Sequence, residues 1–459
     1  MEHEPRRTLG LAAAVSMVIG TVIGSGIFLV TSQMMRAVGS PAMVLAVWVF
    51  GGVLTLFGAL SYAELSAAMP QSGADYVYLK AAYGPLWGFI YGWTVTWVAK
   101  PGTIAALASA AYRYLAEFFP ALNGVMFSIA LPIGPGGGPL DIRWGQFLGA
   151  GLIILFTLVN ILGTRLGGGL QVMGSGLKVA LIAGIVLGGL ASSHGRVANF
   201  QTVLPAHTGS VAGFFVALVA VLWAYDGWTN ASMIGSDIRN PEKNLPRALI
   251  WGTVAVIAIY VLTNVAYLYV LKAPEVGSSQ RVAADMMRRV AGPGGAAIVS
   301  IAAIVSILAG LNGVILSGSR VPFAMARDKY FFGWVGGISR FETPAASLAL
   351  QGGWSLLLLG SGRFEDLISM VIFTEWILYG MTTAGVLVLR RTLPEMVRPY
   401  RVWGYPGVPM AFVLVAVALL YATLRESPRE SGMGLGLIVI GLPFYYYWNR
   451  RHRKLAKSV

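Results

Sequence analysis

The sequence predicts an all-α membrane protein with twelve transmembrane helices, and three observations carry that expectation. Hydrophobic residues make up 56% of the 459 and charged residues only 11%, with a mean hydropathy of +0.70. Soluble domains average about 25% charge, so the expected solvent is the bilayer. Apolar runs recur along the whole chain, each near the roughly 20 residues that a spanning helix needs. Connectors rich in Gly, Pro or charge separate them.

In order, the expected spans are 9–36, 42–69, 85–117, 142–162, 167–192, 210–236, 246–272, 293–325, 344–361, 366–390, 408–424 and 432–449. The first is too long, too interrupted by glycine and too poorly flanked for a cleaved signal peptide. The third carries Lys100 before Pro101, the fifth Lys178, the sixth Asp226 and Gly227, and the tenth Glu375. The longest connector, PIGPGGGPLDIR, joins spans three and four, and 276–291 reads as a short amphipathic helix on the surface. Units of 1–200, 201–395 and 396–459 follow if spans 1–5 and 6–10 are repeats and the last two helices are additional.

A net charge of +14 could suggest nucleic acid, but Lys and Arg stand in short clusters between apolar runs, with no basic domain. Most of the 33 fall on the side that carries the two termini, which places both termini in the cytoplasm. There is no cysteine, which excludes disulfides, thiolate metal sites and cysteine nucleophiles. His3, His194, His207 and His452 fall in tails or loops, so no metal site is expected and no cofactor is implied.

Two stretches weaken their own helices. VIGTVIGSGIF at 18–28 places Gly20, Gly24 and Gly26 within seven positions, and LWAYDGWTNAS at 222–232 places Asp226 and Gly227 in mid-membrane. Lipid offers no hydrogen bonds, so unwound backbone survives only where protein or a water-filled cavity surrounds it. Interrupted spans at corresponding positions of two halves point to a transport site. The amides that open one half-helix suit a carboxylate, and the carbonyls that end the other suit an ammonium group. The alternative is that the glycines only let helices pack closely.

These residues resemble a known family. GTVIGSGIF, AELSAAMPQSGADYVYLKAAYGPLWGF, WAYDGW, SDIRNPEKNLPRAL, NGVILSGSRVPFAMARDKYF, TPAASL and PYRVWGYPGVP, in that order, are similar to the amino acid–polyamine–organocation transporters, above all the L-type amino-acid transporter branch. The resemblance covers nearly the whole chain. It implies a five-plus-five inverted repeat (the LeuT-like fold) with broken helices one and six. It places a substrate carboxylate on the amides of Ser25 and Gly26 beside Gly24. The ammonium meets the carbonyls of Val22, Trp223 and Asp226, with Ala224 and Gly227 in the same break, and Trp223 closes the outer gate.

Lys178 is expected to stand where sodium-coupled relatives of the wider fold hold a cation, which favours sodium-independent transport; release of a proton is the other possibility. Glu375 departs from the branch, where a neutral polar residue is common; it could line the pocket, titrate or pair with a lysine. Thr103, Asn312 and Glu375 join Ser25, Gly26 and Asp226 as expected pocket features. Glu64 is expected at the cytoplasmic surface with Asp237, Arg239, Glu242 and Lys243, where Arg320 and Arg327 could latch an inner gate. The function expected is exchange of small neutral L-amino acids across the plasma membrane. Proton-coupled uptake, or transport of cationic amino acids or polyamines, is the alternative. A sensor without flux and a membrane-embedded enzyme are different classes, and neither a signalling domain nor a convergent catalytic set appears. Without cysteine a disulfide-linked heavy chain is excluded, and a single subunit is expected.

Overall fold

A computed structural model describes residues 7–130, 140–204, 211–361, 364–426 and 428–456. They are mostly helical. The helices are α1 (Leu11–Val22), α2 (Gly26–Val38), α3 (Pro41–Ala68), α4 (Asp75–Tyr83), α5 (Pro85–Thr94) and α6 (Lys100–Leu115), followed by α7 (Trp144–Leu162) and α8 (Thr164–Leu190). Next come α9 (Val211–Ala224), α10 (Asn230–Met233), α11 (Pro241–Val270), α12 (Ala273–Ser278), α13 (Val282–Gly318) and α14 (Arg320–Arg327). The chain closes with α15 (Ala345–Ser361), α16 (Phe364–Thr392), α17 (Gly407–Glu426) and α18 (Pro428–Ala456).

Local chemistry sets several boundaries. Gly39 takes a left-handed conformation (φ 73°) that ends α2, and Ser40 then caps α3 by accepting from the Met43 amide at 3.3 Å. Proline opens α3, α5 and α11 at the first helical position, where its missing N–H leaves no helical bond unmade. Among the described residues six helices are long and apolar enough to cross a membrane, and α1 and α9 are shorter apolar helices. Ile154, Leu155 and Leu158 of α7 are exposed, as suits a helix whose outer face meets lipid instead of water.

At the centre, α1 packs against α8, α11 and α13, while α2 lies on α9 and α3 on α11. The breaks in α1–α2 and α9–α10 therefore sit inside a ring of helices, where protein can satisfy freed backbone.

Three expectations change. The connector after α6 holds an antiparallel hairpin, β1 (Val125–Ile129) with β2 (Leu140–Arg143), where only irregular chain was read; most of its Gly/Pro segment lies outside the described residues. The stretch 276–291 is not one short helix. It is the end of α12 plus the start of α13, kinked at Ala291 and Gly292, with Val282, Ala283, Met286 and Met287 buried and Arg288 exposed. Glu64 is not at a solvated surface: it is buried, held by Arg390 through two bonds of 2.9 and 2.6 Å and by the Val402 amide at 2.7 Å.

Candidate functional site

Helix α1 stops at Val22, and Ile23 is extended (ψ 92°). Helix α2 starts at Gly26 behind Ser25, which gives it no side-chain cap. The first amides of α2 thus lack intrahelical partners and carry the positive end of its dipole. The carbonyls that α1 leaves behind are answered by side chains. Lys178 Nζ of α8 donates to Gly20 O at 2.8 Å and also to Ile23 O, which accepts from Ser306 Oγ of α13 at 2.8 Å. Lys178 is fully buried, and the partners it is given are backbone carbonyls at a helix C-terminus, the end that favours a cation.

The second break runs from Tyr225 to Thr229, between α9 and α10. Gly227 has φ 105°, and a Cβ there would stand 2.9 Å from Thr21 O, so both conformation and proximity require glycine. Thr21 Oγ1 donates to Gly227 O at 2.9 Å, which ties the second break to α1. The Trp223 carbonyl accepts from the Asp226 amide at 3.2 Å, and the Asp226 carboxylate accepts from Tyr379 Oη at 3.0 Å.

The two breaks face each other closely. A Cβ on Gly26 would lie 3.0 Å from Ala224 Cβ and 3.4 Å from Cζ3 of Trp223, a residue that is 40% exposed. Tyr260 of α11, which the sequence reading did not single out, reaches both: its hydroxyl is 2.9 Å from Val22 O and 3.0 Å from Ala224 O. One phenolic proton serves one carbonyl at a time, so a donor with more protons would satisfy this pair better. The signal available in the sequence was a hydroxyl in the middle of an apolar run, since a buried tyrosine needs a partner.

Other expected residues fall elsewhere. Asn312 does not offer its amide to the breaks: Nδ2 donates to Gly167 O at 3.0 Å and Gln171 Oε1 at 2.9 Å, and Oδ1 accepts from Asn160 at 3.0 Å. It ties α13 to α7 and α8. Thr103 turns back to Ala99 O, 2.8 Å away in its own helix turn. Lys100 donates to Asn230 Oδ1 at 2.8 Å, next to Ser317. Glu375 lies near enough to Asp226, Lys100 and Asp75 for their charges to act on it.

The arrangement sets the positive backbone end of α2 against Ala224 and Trp223, beside carbonyls of both breaks that Tyr260 and Lys178 answer. The amino acid permease family model matches residues 9–442. The chain belongs to the amino acid permease family. It is 32% identical over 453 residues to the serine/threonine exchanger SteT of Bacillus subtilis, covering 97% of this chain and 98% of that one. To the b(0,+)-type amino acid transporter 1 of Homo sapiens it is 31% identical, over 97% of this chain and 89% of the relative. The cystine/glutamate transporter of Homo sapiens is 28% identical, over 98% and 87%.

Buried polar contacts also tie α14 and the segment before α1 to the loop after α10. Arg320 of α14 and Asp237 pair at 2.8 Å, both fully buried, and Arg320 also donates to Ser319 and Thr164. Leu9 donates to Asp237 O at 2.9 Å and accepts from the Arg239 amide at 2.8 Å, so the segment before α1 is strapped to the loop after α10. Of the loop charges expected to form a latch, this pair is the one brought together in the interior. Lys243 and the Arg239 side chain face outward, and Arg327 stacks on Phe323 with its guanidinium 5.7 Å from the ring centroid.

Proposed function

We propose that this permease exchanges small neutral L-amino acids across the cell membrane by alternating access, without sodium. The observation that carries the reading is the pair of facing breaks joined by Tyr260. A zwitterion placed between them would set its carboxylate on the amides at Ser25 and Gly26. Its ammonium would donate to the Val22 and Ala224 carbonyls, relieving the shared phenolic proton. Peptide groups held in place by a helical scaffold need no reorganisation to bind charge, and a dry chamber strengthens each contact. The Lys178 ammonium already fills the carbonyl cradle at the end of α1, which leaves it no vacancy for a metal ion. Closure of Trp223 over the substrate on one side, and release of the Arg320–Asp237 pair on the other, would alternate access.

The relatives named as exchangers or amino-acid transporters support the same class of activity. We further propose twelve spans, with 1–200 and 201–395 as inverted halves of five, 396–459 as two added helices, and both termini cytoplasmic. A single subunit is proposed, because without cysteine no disulfide can hold a heavy chain. Proton-coupled uptake is the second reading, favoured by Glu375, a carboxyl on which the charges of Asp226, Lys100 and Asp75 act. Counterflow in sodium-free proteoliposomes separates the two. Stimulation of uptake by internal amino acid supports exchange; uptake that follows an imposed pH gradient and ignores internal substrate supports the second reading.

A further inference from the structure

One face of α18 carries an arrangement that amino-acid exchange does not use. Pro443, Tyr446, Tyr447, Arg450 and Arg451 recur at helical spacing and line a groove of about 590 Å³. Tyr446 and Tyr447 are 57% and 60% exposed, and one to two turns before them Val439 and Ile440 are exposed as well. The opposite face packs inward: Tyr445 stacks on Tyr330, and Trp448 stacks on Phe331. The groove is therefore the outward side of a helix that is anchored from behind.

Depth along the helix sorts these groups. From Pro428, where α18 begins, to Tyr446 a helix rises about 27 Å, close to the hydrocarbon thickness of a bilayer of about 30 Å. The two tyrosines stand at the level where lipid acyl chains give way to headgroups, and the two arginines lie one turn further into the headgroup layer. Among the described residues neither Arg450 nor Arg451 makes an ion pair or a hydrogen bond, and neither tyrosine hydroxyl has a partner. Two uncompensated guanidinium groups beside two free hydroxyls, above an apolar strip, match one amphiphile from tail to head.

We propose that this groove binds an anionic glycerophospholipid, its phosphate on Arg450 and Arg451, its glycerol region against Tyr446 and Tyr447, and an acyl chain along Val439 and Ile440. A guanidinium pair binds phosphate in a fork of N–H donors, and a headgroup with net negative charge leaves no ammonium to oppose them. A zwitterionic headgroup would bring such an ammonium to the same place. Each basic residue near a membrane surface is worth about fivefold in binding to anionic lipid, so the pair is worth about 25-fold.

The test is native mass spectrometry of the full-length chain in detergent, titrated with phosphatidylglycerol or with phosphatidylcholine. The expected result is retention of phosphatidylglycerol over phosphatidylcholine by about 25-fold. That preference should vanish in R450Q/R451Q and return in R450K/R451K, with both variants eluting as the wild type does on size exclusion. Excess glycerol phosphate, the headgroup without its chains, should fail to displace the lipid. Equal retention of the two lipids by the wild type, an unchanged preference in R450Q/R451Q, or displacement by glycerol phosphate alone would overturn the assignment.

Discussion

Tyr260 Oη stands 2.9 Å from the Val22 carbonyl and 3.0 Å from the Ala224 carbonyl, so a single hydroxyl spans the ends of two interrupted helices. Replacing Tyr260 with Phe keeps the ring and removes that bridge. Carbonyls left unmet in a buried site cost about 1–3 kcal/mol. A bound ammonium satisfies them, so the variant should insert normally and bind amino acid about tenfold more tightly, read as the half-saturating substrate concentration in proteoliposome uptake. Unchanged affinity would remove Tyr260 from the site.

Lys178 occupies the end of α1 with its side-chain nitrogen, which donates to the Gly20 and Ile23 carbonyls. Sodium chloride replaced by choline chloride should leave the wild-type initial rate unchanged. Lys178→Ala leaves the Gly20 carbonyl without this donor and should lower uptake at least tenfold. A wild type that needs sodium would contradict the reading of this lysine.

Breaking a buried ion pair by removing one partner strands the other charge, at about 3–5 kcal/mol. Arg320→Met should therefore lower thermal stability by about that amount, monitored by unfolding in detergent. D237L/R320M, which strands no charge, should recover much of the loss. A single variant as stable as the wild type would mean that the pair is not formed in the resting protein.

Outside the spanning region, Arg289 donates to Glu275 at 2.5 and 3.0 Å, and this holds the Glu275 carboxyl below the ordinary value of 4.5. A carboxyl depressed in the folded state contributes stability that is complete above its unfolded value and is lost as pH falls through its folded one. The difference in melting temperature between wild type and Arg289→Gln should thus be constant at neutral pH and shrink as pH drops below 4.5. Both groups are solvent-accessible, so the difference is small. A difference that grows on acidification would reverse the assignment.

What the sequence made legible was whatever departs from helical chemistry locally. The density of glycine at 20–26 and the Asp226–Gly227 pair mark the two places where the chain leaves helical geometry, because an apolar span has few other reasons to carry such residues. A buried lysine at 178 is legible for the same reason. Which way a helical side chain points is not local information. Asn312 looked like a pocket residue, yet its amide faces α7 and α8, since the face of α13 is set by partners more than a hundred residues away. Glu64 was assigned to a solvated surface because its arginines arrive only with α16 and the segment after it. The Tyr260 hydroxyl stands out in an apolar run, but nothing local marks which way around α11 it points.

A structure of the permease with a bound small neutral amino acid decides the matter of the site. The carboxylate oxygens should lie within hydrogen-bonding distance of the Ser25 and Gly26 amides, with the ammonium against the Val22 and Ala224 carbonyls. An amino acid held instead by ionised side chains, away from residues 22–26 and 223–227, would contradict the account.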